Sequence, residues 1–179
     1  AVRFDGGISG KVHLRHVLQD PVMETRLDVK DFSLNHALLG RADILGSWDK
    51  ELGGVRLDAD IRRDSTCTTR VTGYVSPKMK GLDLQIQAGG TPLSFLQPFV
   101  ENIFSNVNGN VHGDVRLFGP FSQLDLEGNV KAQMQMKVNI LNTTFRASAD
   151  SVHIASGLFR FQNVRLQDTE GHTGLADGE

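Results

Sequence analysis

The sequence predicts an all-β protein, an antiparallel sheet with one apolar face, and three observations predict it. Apolar and polar residues alternate along much of the chain, turn-forming residues separate the alternating runs, and helical spacing is confined to one segment. Alternation is the signature of a strand covered on one side, because successive side chains point to opposite faces. Strands recurring at roughly 8–12 residues leave little room for helices of ordinary length.

In chain order, Ala1-Val2-Arg3-Phe4-Asp5-Gly6-Gly7 reads as the last part of a strand followed by a turn. Gly178-Glu179 reads as the start of another strand, so the chain is expected to be a segment of a longer protein. Val55-Arg56-Leu57-Asp58-Ala59-Asp60-Ile61-Arg62 alternates with a charge at every outward position, and Leu82-Asp83-Leu84-Gln85-Ile86-Gln87 repeats the pattern. Gln133-Met134-Gln135-Met136-Lys137-Val138-Asn139-Ile140 alternates without exception, followed by Val152-His153-Ile154, Phe159-Arg160-Phe161 and Val164-Arg165-Leu166. Turns are expected at Gly53-Gly54, Ser76-Pro77, Gly89-Gly90, Gly119-Pro120 and Asp168-Thr169-Glu170-Gly171.

Residues 91–105 depart from this rule. Apolar residues fall at Leu93, Leu96, Phe99/Val100 and Ile103/Phe104, which is helical spacing, with Thr91 placed to cap and Pro92 in the first turn. Pro98 interrupts a continuous helix, so one or two short pieces are expected, laying their apolar stripe on the sheet.

A weak repeat accompanies the strands. Ile8-Ser9-Gly10-Lys11-Val12-His13-Leu14 aligns with Val111-His112-Gly113-Asp114-Val115-Arg116-Leu117 at a constant shift of 103 residues, and at that shift Leu27 meets Val130 and Val29 meets Ala132. The organisation is therefore read as a β unit over 1–90, a helical segment over 91–105 and a second β unit over 106–179, within one continuous β domain. Repeated units favour elongation over a closed sandwich.

Composition narrows the function classes. With 19 basic and 21 acidic side chains interspersed and a net charge of -2, the chain lacks the basic surplus that a nucleic-acid binder carries. One cysteine, Cys67, rules out an intramolecular disulfide and a cysteine-based zinc cluster. No run of about 18 apolar residues spans a bilayer as a helix.

Nothing asks for catalysis. His13, His112 and His153 alternate with strand apolar residues and point to solvent; His16, His36 and His172 lie near turns, and no metal-binding His spacing occurs. There is no Gly-x-Ser-x-Gly, Gly6-Gly7-Ile8-Ser9-Gly10 lacks the lysine of a phosphate loop, and Cys67 reads as a small filler. Asp58 and Asp60 share their face with Arg56 and Arg62, as on a solvated sheet. No cofactor is expected.

What remains is the apolar face. Its expected lining is Leu57, Ile61, Leu84, Ile86, Val115, Leu117, Leu126, Val130, Met134, Met136, Val138, Ile140, Phe145, Ile154, Phe159, Phe161, Val164 and Leu166. Aliphatic and methionine side chains dominate it, whereas the chain holds a single Trp48 and a single Tyr74. Sugar binding calls for stacked aromatics, so such a face suits acyl chains or plain packing. Burying each side chain is worth about 1.5–3 kcal/mol, so the sheet must curl, pair or hold apolar ligand. An ordinary closed core is the competing reading.

The stretch Val107-Asn108-Gly109-Asn110-Val111-His112-Gly113-Asp114-Val115-Arg116-Leu117-Phe118-Gly119-Pro120, then Leu124-Asp125-Leu126-Glu127-Gly128-Asn129-Val130, resembles a recurring unit of the TamB/AsmA-like family of translocation and assembly modules. The sequel resembles it too, through Leu141-Asn142-Thr143-Thr144-Phe145 and Phe159-Arg160-Phe161-Gln162-Asn163-Val164-Arg165-Leu166 to Gly178, as does the preceding Pro92-Leu93-Ser94-Phe95-Leu96. The likeness covers residues 82–179 well and 6–81 loosely. It departs at Leu124, where the family unit carries proline (the first copy keeps Pro21), and at His16 and Thr25, where the second copy has Gly119 and Gly128. The resemblance implies an elongated, U-shaped trough with an apolar lining in the periplasm, anchored to the inner membrane by a helix outside this segment. It implies phospholipid transport toward the outer membrane or assembly of outer-membrane β-barrels with a barrel partner, and no catalytic residues.

Overall fold

Eleven strands in strict sequence order form one antiparallel meander in the computed structural model, which describes residues 3–15, 22–65, 67–155 and 158–179. They are β1 (Phe4–Arg15), β2 (Val22–Leu34), β3 (Ala37–Asp49), β4 (Gly54–Arg62), β5 (Thr68–Ser76) and β6 (Gly81–Pro92). After a 3-10 turn at Leu93–Leu96 and the one-turn helix α1 (Gln97–Val100) come β7 (Phe104–Pro120), β8 (Asp125–Val138), β9 (Thr143–Ala155), β10 (Leu158–Asp168) and β11 (Thr173–Gly178). The sheet does not close: β1 and β11 are its two edges. The expected turns at His16 and the proline at Pro21 lie outside the described residues.

Short turns set the meander. Between β2 and β3, Asn35 and His36 both take positive φ (49° and 68°), the conformation of a two-residue turn whose twist suits adjoining antiparallel strands. The repeat is structural as well as sequential. Ile8–Val29, Gly10–Leu27 and Val12–Thr25 are register partners in β1–β2, and their equivalents 103 residues later, Val111–Ala132, Gly113–Val130 and Val115–Gly128, are register partners in β7–β8.

Bulges bend the sheet around its apolar side. Register slips at Asp31 in β2, Gly90 in β6, Asn106 in β7 and Asn163 in β10, each at positive φ, and an extra residue of this kind increases local twist. The curl brings β3 and β6 within 8 Å although two strands separate them. Asn35 Nδ2 spans the same gap to donate to the Phe95 carbonyl at 3.1 Å.

The helical segment is shorter than the spacing suggested. Thr91 and Pro92 belong to β6 and Phe104 to β7, leaving Leu93–Val100 helical in two pieces, with Pro98 in the first turn of α1. Thr91 does not cap. Its hydroxyl meets the Thr69 hydroxyl at 2.6 Å, both residues buried on the apolar side. Leu93, Leu96 and Val100 do lie on the sheet, against Val107, Val111, Ala132, Met134 and Met136, whereas Phe99 and Ile103 face outward. Gln97 fastens the segment, donating to the Phe104 carbonyl (2.9 Å) and accepting from the Val107 amide (2.8 Å). Two other expectations are corrected: Gly89-Gly90 is a bulge inside β6 rather than a turn, and β1 runs straight through Gly6-Gly7.

The threonine pair yields a prediction. Thr91→Val keeps the shape but strips the Thr69 hydroxyl of its partner in a buried position, which costs about 1–3 kcal/mol. Urea denaturation should show that loss, and a double Thr69→Val/Thr91→Val variant should recover part of it.

Candidate functional site

Cross-strand register, which alternation alone does not reveal, assembles the apolar residues into rows. One row crosses all eleven strands: Ile8, Val29, Ala42, Ile61, Thr69, Ala88, Gly113, Val130, Val152, Phe161 and Gly178. The next crosses ten: Gly10, Leu27, Ile44, Ala59, Val71, Ile86, Val115, Gly128, Ile154 and Phe159. A third runs Val12, Thr25, Gly46, Leu57, Gly73, Leu84, Leu117 and Leu126. No charged side chain interrupts any of them. The row between the first two, on the opposite face, is polar throughout: Ser9, Asp28, Asp43, Asp60, Arg70, Gln87, Asp114, Asn129, His153 and Arg160.

Burial follows the curl. Ala42 has no exposed surface and Val29 and Ile61 keep 4 % and 8 %, which a lone flat sheet could not achieve; they pack with Leu39, and Phe32, Leu34, Ile44 and Val71 close around them. Further along the meander Val130, Ile154 and Val164 are buried, while Leu57, Leu84, Ile86, Leu117, Leu126, Met134, Val138, Phe145 and Leu166 are half-buried. Glycines relieve crowding on this concave side: Gly73 sits between Leu57 and Leu84, and Gly113 opposite Val130. Both take positive φ, 141° in each case, and a Cβ there would run into the Asp83 or Asn129 carbonyl oxygen of the adjacent strand.

Seventeen of the eighteen lining residues expected from the sequence thus lie on strands of this face; Ile140 does not. β8 stops at Val138, and Ile140 stands in the turn to β9, 90 % exposed. Asn139 draws the chain out of the strand: its amide donates to the Ile103 carbonyl (3.0 Å), its Nδ2 to the Glu101 carbonyl (2.9 Å), and its Oδ1 accepts from Ser105 (2.7 Å). Phe159 keeps its place opposite Ile154 but is half exposed.

The polar face is laced by ion pairs. Arg116 on β7 grips Asp83 on β6 with two hydrogen bonds (2.9 and 2.7 Å), reaches Glu127 on β8 at 3.0 Å and lies 4.5 Å over the Phe118 ring. The Arg116 hydrogen bonds hold the Asp83 carboxyl below the usual carboxylate range despite partial desolvation. Asp49, through the Leu52 amide and Arg56, and Asp168, through His172, are lowered too. A carboxylate whose folded-state pKa is depressed stabilises the fold above its unfolded value, about 3.9, and loses that contribution as pH falls through the folded value. The urea midpoint should therefore drop below about pH 4, and Asp83→Asn should make the drop shallower.

Two shallow clefts of about 890 and 900 Å³ open on this polar side, one beside Lys11, Arg26, Asp43 and Asp58, the other beside Gln133, Gln135, Arg146 and Arg165. They are distinct from the apolar trough. His13, His112 and His153 are exposed on the polar face, and His172 bonds Asp168 at 2.9 Å. Among the described residues no three His, Cys, Asp or Glu side chains converge as a metal site. Nor is any described helix long and apolar enough to cross a membrane. No family model, curated protein or solved structure matches this chain.

Proposed function

We propose that this chain is a non-catalytic conduit segment that shelters acyl chains on its apolar trough, the periplasmic part of an envelope protein that carries phospholipid between membranes. The observation that supports it is the set of register rows: a charge-free face continuous over ten and eleven strands in a sheet that curls without closing. A closed core needs no such continuity, and a row without charge lets a hydrocarbon chain slide without crossing a desolvation barrier. In this reading a headgroup stays in water at the rim of the unclosed sheet while its tails lie along Leu84, Ile86, Val115 and Leu117, which are half-buried. The resemblance to TamB/AsmA-like proteins supplies the setting: an anchor helix in the inner membrane outside this segment, and a β-barrel assembly partner at the outer membrane. Delivery of outer-membrane proteins would use the same shelter.

The test is native mass spectrometry of protein purified without detergent. Phospholipid mass adducts that vanish on organic extraction, and saturable binding of a fluorescent fatty acid by the extracted protein, are the expected result. Protein free of adducts that also ignores the fatty acid would end this reading.

A further inference from the structure

The two clefts on the polar face have similar volumes, about 890 and 900 Å³, but differ in charge. The first, on β1–β4, is lined by four basic and four acidic side chains, and its Arg41 and Asp28 pair with each other. The second is lined by two arginines, Arg146 and Arg165, and by no carboxylate. Cross-strand register sets Asn108, Gln135, Arg146 and Gln167 in one row, and Gln133 and Arg165, both opposite Ser148, in the next. These residues sit on β7–β10, strands paired on both sides, so the site does not depend on an edge of the sheet. Among the described residues no carboxylate lies within ion-pair distance of Arg146. Arg165 meets Asp150 at 3.2 Å, an exposed contact of the kind that is worth little in water. Asp168 borders an adjoining hollow with Arg146, but the Glu170 and His172 amides and the His172 ring hold its carboxylate.

The geometry points to a second binding site, on β7–β10, for a small phosphorylated polyol. Arg146 lies opposite Gln167, which makes Arg165 its diagonal neighbour on the adjacent strand. That separation, about 7–8 Å, is one that long side chains span, so both guanidiniums reach one phosphate. Each takes phosphate oxygens in paired hydrogen bonds, and together they balance a double charge. Gln133, Gln135 and Gln167 both donate and accept, which suits hydroxyl groups beside the phosphate. The lining holds no aromatic ring, so an uncharged sugar finds no stacking surface there. The site lies on the face opposite the acyl trough and stands whether or not that trough carries lipid.

The probe is glycerol phosphate, titrated into isotope-labelled protein at low salt and followed by nuclear magnetic resonance. Side-chain signals of Arg146, Gln135 and Gln167 should shift saturably, glycerol alone should move none of them, and inorganic phosphate should bind at least roughly threefold more weakly. Gln135→Glu sets a carboxylate opposite Arg146 and so gives the second cleft the self-neutralised character of the first. It should weaken binding by roughly tenfold or more, as should Arg146→Gln. Both positions are exposed, so the thermal melt should stay unchanged. Phosphatidylglycerol vesicles distinguish the source of the phosphate. Sedimentation with them that Gln135→Glu abolishes would assign it to a lipid headgroup; no sedimentation, with glycerol phosphate still bound, would assign it to a soluble molecule. Absence of saturable shifts, a Gln135→Glu variant that binds like the parent, or inorganic phosphate binding as tightly as glycerol phosphate would each overturn the assignment.

Discussion

Gly73→Ala is expected to lower stability by about 3 kcal/mol or more, enough to unfold a large fraction of a marginal domain. Two independent penalties meet at this residue. Its φ of 141° is a conformation that L side chains rarely adopt, and an added Cβ would collide with the Asp83 carbonyl oxygen on β6. Neither can relax locally, because Gly73 is registered to Leu57 on one side and Leu84 on the other, in the middle of the meander. Gly174→Ala is the control: a Cβ at Gly174 meets nothing within 4 Å and its φ is not positive. That variant should stay within about 0.5 kcal/mol of the parent. Urea unfolding monitored by circular dichroism reads both, and equal midpoints would show that the curl does not depend on glycine at this row.

The strands were legible because the property that makes them, one wet face and one dry, is written at every second position. Val55–Arg62 and Leu82–Gln87 fall inside β4 and β6 with the expected residues inward. The repeat was legible for a related reason: matching hairpins need matching alternation, so the shift that aligns Gly10 with Gly113 also preserves their partners Leu27 and Val130. Alternation fails where the chain leaves the ladder without changing its pattern. Asn139-Ile140 continues the period of β8, yet backbone and side-chain bonds from Asn139 pull both residues into a turn. Gly89-Gly90 carries the composition of a turn but serves as a bulge, since a positive φ at Gly90 (84°) answers either need. Helical spacing likewise overstated the buried stripe. Only one turn of α1 forms, so Phe99 and Ile103 never come round to the sheet. The rows themselves were not legible, because register is a relation between strands that no single strand encodes.

Gly46→Phe is expected to abolish most acyl binding while leaving the fold intact. Gly46 lies in the third row between Thr25 and Leu57, and its φ is ordinary. A Cβ there finds only van der Waals neighbours, Val55 Cγ1 at 3.4 Å and Thr25 Cβ at 3.7 Å, so a side chain can be attached without moving backbone. The ring then projects from the concave face into the path along Leu57 and Leu84. If that path is open, the ring has room. Stability should then change by no more than about 1 kcal/mol, since replacing a strand glycine also removes an entropic cost. Bound fatty acid, measured by fluorescence titration, should fall by roughly tenfold or more as the ring displaces the hydrocarbon. If instead the face is a filled core, the same ring is an overpacking lesion: it should cost about 1–3 kcal/mol in urea and leave fatty-acid binding where it was. The two readings thus move the two measurements in opposite combinations, and Gly46→Ala, which adds a methyl group and no obstruction, should move neither.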